Sequence, residues 1–510
     1  MSKEHLSFSP VRSLVWPVHR WELKKVLSML LLIFLVCTTY TILRNLKDTV
    51  ILTAKASGAE VIPFLKVWGM LPGAFLAAYI YTRLLRRFRR DQVFYIVISS
   101  FLFYFLLFAF VLYPNNESLH LDKTAVFLSD RLPAGFNAPI TMVRNWTFST
   151  FYVISELWAV QVLALLFWGF VNEITPLSEA KRYYGILNFG SNIAPLIGGF
   201  LALFTTRWLT FSFLNGGGDE WGATIAKLTC VVTLLGCSAM ILFYWMHRSL
   251  PAEKDDFSAA NSSKKKIKLS IRDSIRVLLR SRYLLYLAVI VLGYNISINF
   301  TDILWKAQLK RYFTDPNAML EHMNKITIGI GCLATLGAIF FSLMIHRFGW
   351  TLIAIITPIL MTITALLFFS FYFFGNGIIA AGISLGALSP LALTVYSGSM
   401  QNCLSKAGKY SLFDASKEIA FLPLASEERI KGKAAIDGLG SGIGKSGASI
   451  SYQGLILVAG GVAQTAPLIM GVLFVVLTLW IFSVTVLGGL FKEKSLAEQR
   501  EPLGETAVKV

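Results

Sequence analysis

The sequence contains few of the side chains on which most enzymes and metal proteins depend. Its 510 residues include six histidines and five cysteines. The histidines lack the spacing of metal ligands, and no two cysteines form a CxxC pair. The chain also has no nucleophile and base arranged as a catalytic constellation. We therefore expect no enzyme activity, no metal site and no cofactor.

Charged residues are scarce as well, at 15% of the chain, whereas apolar residues make up 55%. Mean hydropathy is +0.62. A membrane-spanning helix needs about 20 mostly apolar residues, and runs this long exclude spanning strands. Twelve such stretches are present, at 26–50, 61–84, 93–113, 147–173, 183–206, 224–247, 283–306, 324–346, 351–374, 378–404, 433–465 and 467–491. We predict an all-α membrane protein with twelve transmembrane helices in a lipid bilayer.

The first apolar stretch is long and lacks a small-residue cleavage motif after it. We therefore expect it to be the first span and not a cleaved signal peptide.

The formal net charge of +18 comes largely from short loops. These basic residues are Arg83, Arg86, Arg87, Arg89 and Arg90 after span two, Lys181 and Arg182 after span four, Lys264, Lys265, Lys266 and Lys268 in mid-chain, and Lys406, Lys409, Lys417, Arg429, Lys431 and Lys433 between spans ten and eleven. With twelve spans, all these loops lie on one side of the membrane. The positive-inside rule makes that side, and both termini, cytoplasmic. The basic charge therefore does not indicate a nucleic-acid partner.

A polar linker at 248–282 divides the chain into halves of six spans each. We expect a cytoplasmic N-terminus at 1–25, six-helix bundles at 26–247 and 283–491, and a cytoplasmic tail at 492–510. A weak internal repeat aligns GSNIAP at 190–195 with GSGIGK at 440–445. Six plus six spans in parallel halves indicate a major-facilitator-like plan, in which two pseudo-symmetric bundles enclose a central substrate cavity. We expect a monomer.

Four of the apolar spans contain the charged residues Lys47, Glu156, Asp302 and Lys445. A charge at the centre of a membrane helix costs roughly 2.5–3.5 kcal/mol on insertion scales, so such residues usually face a cavity and have a function. Two lysines in one membrane core, with Arg44 nearby, suggest a ligand that carries several negative charges.

Tyr40, Arg44 and Lys47 in span one follow each other at i, i+4 and i+7 and share one helix face. Asp48 is within reach of Arg44 at i+4. Arg44 and Lys47 could instead extend to a membrane interface, but the apolar VILTA segment that follows favours continuation of the span.

Span seven has a polar stripe of Asn295, Asn299, Asp302 and Lys306 at i, i+4, i+7 and i+11. The stripe favours a wet cavity wall, in which the asparagines could contact a base or ribose. The alternative is an Asp302–Lys306 pair at the helix end.

Glu156 in span four has no cation close in sequence. Its partner must therefore come from another helix, unless it is a neutral carboxylic acid with a structural hydrogen bond.

Lys445 in span eleven belongs to GLGSGIGKSGAS, a near miss of the phosphate-binding loop GxxxxGKS, because Leu439 stands where the first glycine is required. An ATPase is excluded by the apolar helices on both sides. Exposed backbone N–H groups and Lys445 would still suit phosphate oxygens.

The chain resembles, over nearly its whole length, the nucleotide transporters of obligate intracellular bacteria and plastids, the ATP/ADP translocases. The matching segments are LVWPVHRWELKKVL, TILRNLKDTV, RNWTFSTFYVISELWAVQVLALLFWGFVNEIT, EAKRYYGILNFGSNIA, KYSLFDASKEIAFLPL and GIGKSGASI. The resemblance implies a nucleotide transporter in a bacterial inner membrane. It also implies that Lys47 in RNLKD, Glu156 in SELW, Asp302 in TDILWK and Lys445 in GKSG are important for transport.

Two positions depart from the pattern of this family. Asp302 stands where a glutamate is expected, and Asn45 stands where some exchangers have an aspartate. The resemblance implies nucleotide exchange, with proton-coupled import of several nucleoside triphosphates as the alternative. Phosphate or protons are therefore candidate coupled species.

Overall fold

The computed structural model describes residues 17–209, 219–249, 271–380, 388–436, 441–459 and 461–505. Within these ranges the chain is helical and contains no strand. The α-helices are α1 Leu23–Thr53, α2 Val61–Phe64, α3 Leu71–Arg87, α4 Arg90–Leu107, α5 Asn116–Leu119, α6 Asp122–Ser129, α7 Asn137–Arg144, α8 Trp146–Trp158, α9 Trp168–Ile174, α10 Leu177–Trp208, α11 Glu220–Ser249, α12 Ile271–Arg280, α13 Arg282–Tyr312, α14 Pro316–Ala380, α15 Pro390–Gly408, α16 Asp414–Ala420, α17 Ser426–Lys433, α18 Ser441–Ala459 and α19 Val462–Glu505.

Ten helical segments in the described ranges are long and apolar enough to cross a membrane. They are Arg20–Thr53, Val61–Arg87, Arg90–Leu112, Trp146–Ile174, Arg182–Trp208, Glu220–Ser249, Arg282–Tyr312, Pro316–Phe341, Leu343–Gly377 and Val462–Leu496. The prediction of an all-helical membrane protein is confirmed.

The count of twelve spans stays a prediction. The tenth and eleventh predicted spans overlap with α15 and α18, and neither helix is among these ten segments. Polar side chains such as Ser397, Gln401 and Asn402 lower the hydropathy of α15. Parts of both spans, at 381–387, 437–440 and 460, lie outside the described residues.

Side-chain caps and one glycine define several helix boundaries. The hydroxyls of Ser281 and Ser389 accept hydrogen bonds from the backbone N–H groups of Leu284 and Ala392, which caps α13 and α15. Gly349 has φ 76° and ψ 169°, a backbone conformation that favours glycine, and it interrupts α14. This break corresponds to the gap between the eighth and ninth predicted spans.

Among the described residues, π-helical segments interrupt the α-helical geometry at places that include Leu65–Met70, Phe108–Leu112, Ala159–Phe167 and Lys409–Phe413. One of them contains Lys66, and two others begin three residues after Glu156 and Lys406. Segments of this kind occur frequently at functional sites. Their placement therefore draws attention to these three charged residues.

The chain forms two compact units, and the boundary between them falls within α1. Unit 1 comprises the described residues of Met1–Lys47, Met70–Leu119 and Thr150–Lys265. Unit 2 comprises those of Asp48–Gly69, His120–Ser149 and Lys266–Val510. Each unit has a core of its own.

Stacked aromatic side chains form part of the core of unit 1. Phe94 of α4 stacks on Phe243 of α11 with ring centroids 3.7 Å apart, and Phe108 stacks on Phe151 at 4.0 Å. The buried Trp158 donates a hydrogen bond from Nε1 to the carbonyl of Val36, at 3.2 Å. This bond ties α8 to α1, the two helices that carry Glu156 and Lys47.

In unit 2, α13 packs against α14, α15, α18 and α19. Two glycines permit close approach to tryptophan. A Cβ at Gly293 would lie 3.1 Å from the Cβ of Trp480. A Cβ at Gly398 of α15 would lie 2.7 Å from Cδ1 of Trp305 and 2.9 Å from Cε2 of Phe368. The rings of Trp480, Trp305 and Phe368 cannot move away easily, because the core is close-packed.

We predict that Gly398→Ala lowers the melting temperature of the detergent-purified protein, because overpacking a core costs about 1–3 kcal/mol. Gly471→Ala is the matched control, since no atom lies within 4 Å of a Cβ at that position of α19. The control should melt at or above the wild-type temperature, because alanine favours a helix over glycine. A Gly398→Ala protein as stable as wild type would contradict this packing.

Candidate functional site

The sequence-predicted residues Lys47 and Glu156 form a buried ion pair in unit 1. Lys47 Nζ lies 2.9 Å from Glu156 Oε1. The Lys47 side chain is 2% exposed and that of Glu156 is 17% exposed. Helix α1 continues past Lys47 to Thr53, as the apolar VILTA segment indicated. Protein therefore encloses Lys47, and Glu156 finds its cation on another helix.

Two tyrosines complete the surroundings of this pair. Lys47 Nζ lies 3.8 Å from the centroid of the Tyr152 ring, one helical turn before Glu156. The hydroxyl of Tyr40 donates to Glu156 Oε2 at 3.1 Å. The π-face stabilises the cation and the phenol stabilises the carboxylate. Arg44, partly exposed, is one turn after Tyr40 on the same helix face.

A second group of charges lies in unit 2 and is centred on Asp302. Lys306 Nζ lies 2.7 Å from Asp302 Oδ2 and 2.8 Å from Asp48 Oδ2. Lys406 Nζ lies 3.2 Å from Asp302 Oδ1, which also accepts a 2.8 Å hydrogen bond from Asn402 Nδ2. The alternative of an Asp302–Lys306 pair is therefore correct, but the pair belongs to a longer chain of alternating charges.

Lys66 adds another cation to the polar stripe of α13. Its Nζ donates to Asn299 Oδ1 at 2.8 Å. Both asparagines of the stripe are buried, and each donates from Nδ2 to the backbone carbonyl four residues earlier, Asn295 to Val291 and Asn299 to Asn295. In this conformation the stripe is closed by protein, although the sequence favoured a wet wall. Three lysines and two aspartates thus lie on or against the second half of α13.

Lys445 is part of helix α18, Ser441–Ala459. The surroundings of its side chain lie outside the described part of the structure, as do residues 437–440. The helical backbone from Ser441 onward agrees with rejecting a phosphate-binding loop, which requires a strand before it.

Sequence reasoning missed Lys66, Asn402 and Lys406 as members of this group. Lys66 was detectable, because it is a charge near the start of the second predicted span, 61–84, and the cost of a charge in a membrane span applies to it as well. Lys406 was assigned to a basic loop, whereas it lies in the last turn of α15. Asp48, which the sequence placed near Arg44, has Lys306 from the other half of the chain as an ion-pair partner.

A long helical membrane chain with buried ion pairs is typical of the major-facilitator class of transporters, and a solved structure supports this fold. A point mutant of the nucleoside transporter NupG superposes with a TM-score of 0.54 at 11% identity, covering 92% of this chain and 99% of that one. The family model described as TLC ATP/ADP transporter matches residues 1–491. The chain belongs to this family and is a multi-pass membrane transporter.

Relatives in the family come from bacteria and plants. ADP,ATP carrier protein 1 of Chlamydia muridarum is 41% identical over 509 residues, covering 98% of this chain and 94% of that protein. The chloroplastic ADP,ATP carrier protein 1 of Arabidopsis thaliana is 35% identical over 488 residues, covering 96% of this chain and 77% of that protein. The resemblance that the sequence motifs indicated is confirmed.

We predict that Lys47→Met destabilises the purified protein by about 1–3 kcal/mol, because it leaves the Glu156 carboxylate without its buried cation. The double variant Lys47→Met/Glu156→Gln should recover part of this loss, because it removes both charges. Thermal unfolding measures both effects.

Arg90→Gln is the matched control, since its ion pair with Glu173 is exposed on both sides and such pairs contribute about 0–1 kcal/mol. If Lys47→Met were no more destabilising than Arg90→Gln, the buried pair would contribute no more to stability than an exposed pair does.

Proposed function

We propose that this chain exchanges ATP for ADP across a bacterial inner membrane by alternating access, as a monomer with both termini in the cytoplasm. Its relatives are named ADP,ATP carriers, and the family match extends over residues 1–491. The structural observation that carries the proposal is the buried Lys47–Glu156 pair at 2.9 Å. Lys47 is held inside the protein by a carboxylate with one negative charge. It can leave this carboxylate for a phosphate group that carries more negative charge.

The proposed binding step is an exchange of partners at Lys47. In this structure the ammonium group has Glu156 and the Tyr152 ring close to it. An entering nucleotide presents several negative oxygens, which form stronger charge-assisted hydrogen bonds than one carboxylate does. Glu156 retains the Tyr40 hydroxyl when Lys47 turns to the phosphates. Lys445 and Arg44 would supply further positive charge, and Asn295 and Asn299 the contacts to base or ribose.

The pairing of Lys47 with Glu156 also bears on the coupling of transport. Net import requires that the site lysine be neutralised when no nucleotide is bound, and Glu156 can neutralise Lys47 in this way. Binding of a proton to the carboxyl group would remove that neutralisation. Proton-coupled import of several nucleoside triphosphates is therefore the second candidate, and Glu156 and Asp302 are its candidate proton carriers. Exchange is the main proposal because relatives carry the names of ADP,ATP carriers.

Uptake of labelled ATP into proteoliposomes separates the two candidates. We expect uptake only when the vesicles contain ADP, and we expect a protonophore to have no effect. Uptake into vesicles without internal nucleotide, abolished by a protonophore, would contradict exchange and favour import. If ATP, GTP, CTP and UTP all fail to enter cells that express the protein, nucleotide transport itself is wrong.

We predict that Lys47→Ala and Lys445→Ala each reduce ATP uptake about tenfold or more, because each removes a charged hydrogen-bond donor to phosphate. Lys325→Ala is the control, since its pair with Glu321 lies on the surface of one helix. Initial uptake rates, normalised to the amount of protein in the membrane, measure the effect. Normal transport by both site variants would exclude the proposed phosphate contacts.

A further inference from the structure

Unit 2 combines segments from both halves of the sequence. Residues 48–69 and 120–149 precede the central linker, yet they pack with residues 266–510 as one compact unit. If transport follows the proposed alternating access, the two six-span halves separate at one end in each cycle. Contacts inside unit 2 that join the two halves of the sequence must then break and re-form.

One of these contacts is a buried ion pair between Asp48 and Lys306. Its atoms are 2.8 Å apart, and each side chain is 6% exposed. Lys306 also holds Asp302 at 2.7 Å on its own helix. Buried charges that lose a partner are costly, because the remaining charge is left uncompensated in a low-dielectric environment. The Asp48–Lys306 contact therefore stabilises the conformation in which the two segments are joined.

Neutral contacts lie along the same junction. The hydroxyl of Thr49 is 3.6 Å from Sδ of Met323. Trp68 Nε1 donates to Gln453 Oε1 at 3.1 Å, and Gln453 Nε2 donates to the carbonyl of Pro63 at 2.9 Å. Each of these hydrogen bonds is weaker than a buried ion pair. Lys66 Nζ also donates to Asn299 Oδ1 across the same junction, at 2.8 Å. Of the contacts named here, the Asp48–Lys306 pair is the one in which both members are charged, so its loss should weaken the junction.

The basic loops indicate which side of the membrane this junction faces. The N-terminus is cytoplasmic under the positive-inside rule, so α1 runs outward and its last residues lie towards the exterior. Segment 120–149 lies in the loop between spans three and four, which is external in the same arrangement. The junction therefore lies towards the external face.

We propose that Asp48 and Lys306 form the latch of an external gate and that Lys306 is a positioning residue for transport. This inference rests on the alternating access of the proposed function. In this proposal the joined segments close the route from outside. For the gate to open, Lys306 must leave Asp48. Its ion pair with Asp302, which is on the same helix α13, remains. The latch thus favours the externally closed conformation without touching the nucleotide.

Labelling of a cysteine at Thr49 tests the latch directly. Thr49 is fully buried against Met323, so a membrane-impermeant maleimide added outside should label Thr49→Cys slowly in a chain whose five native cysteines are replaced. Asp48→Asn or Lys306→Gln in that background should raise the labelling rate about threefold or more, because the open population increases. Lys306→Arg should restore slow labelling, since it keeps the charge.

Lys325→Gln is the matched control, because its ion pair with Glu321 joins two positions of one exposed helix surface. It should label at the rate of the parent. If Asp48→Asn and Lys306→Gln also label at the parent rate, the latch is excluded. Labelling requires no nucleotide, so this result is independent of whether the protein exchanges ATP and ADP.

A kinetic measurement separates a latch from a folding defect. A latch variant should show a lower KM for external ATP together with a lower kcat, because more carriers face outward but closure is less favourable. A folding defect would reduce the amount of active protein and leave KM unchanged. Unchanged KM in both latch variants, with wild-type exchange intact, would overturn the proposal and leave the proposed function standing.

Discussion

A charge buried in a membrane protein must have a partner, and this requirement governs the structure around α1 and α13. Lys47 and Asp48 are consecutive residues of one helix, and each is almost wholly buried. Lys47 pairs with Glu156 in unit 1, and Asp48 pairs with Lys306 in unit 2. The tyrosines near Lys47 and the asparagines along α13 add the hydrogen bonds and the π-contact that buried charges need.

The two groups of charges are suited to different functions. The Lys47–Glu156 pair has one cation, one carboxylate and two aromatic neighbours, so its lysine can change partners with little rearrangement. The unit 2 group forms a chain from Asp48 through Lys306 and Asp302 to Lys406, in which each inner member has two partners of opposite charge. Such a chain is suited to holding helices together until a change of conformation separates its links.

The sequence predicted the helical membrane fold, the extent of α1 and the existence of a partner for Glu156. These follow from local rules, namely hydropathy over about 20 residues and the cost of a buried charge. Asp48–Lys306 and Lys66–Asn299 were missed because they join residues 258 and 233 positions apart in sequence. No periodicity within one helix reveals which distant helix lies opposite. The α15 helix was predicted only in part, because the predicted span ends at residue 404 and leaves Lys406, an ion-pair partner of Asp302, in a loop.

Recognition of nucleotide phosphates by buried cations, with Lys47 foremost, can be measured by calorimetric titration of the purified wild-type and Lys47→Gln proteins with ATP, ADP, AMP and adenosine. Wild-type affinity should fall steadily from ATP to adenosine, and this difference in affinity should shrink markedly in Lys47→Gln. If the Lys47→Gln protein separates ATP from adenosine as well as wild type does, Lys47 does not recognise the phosphates.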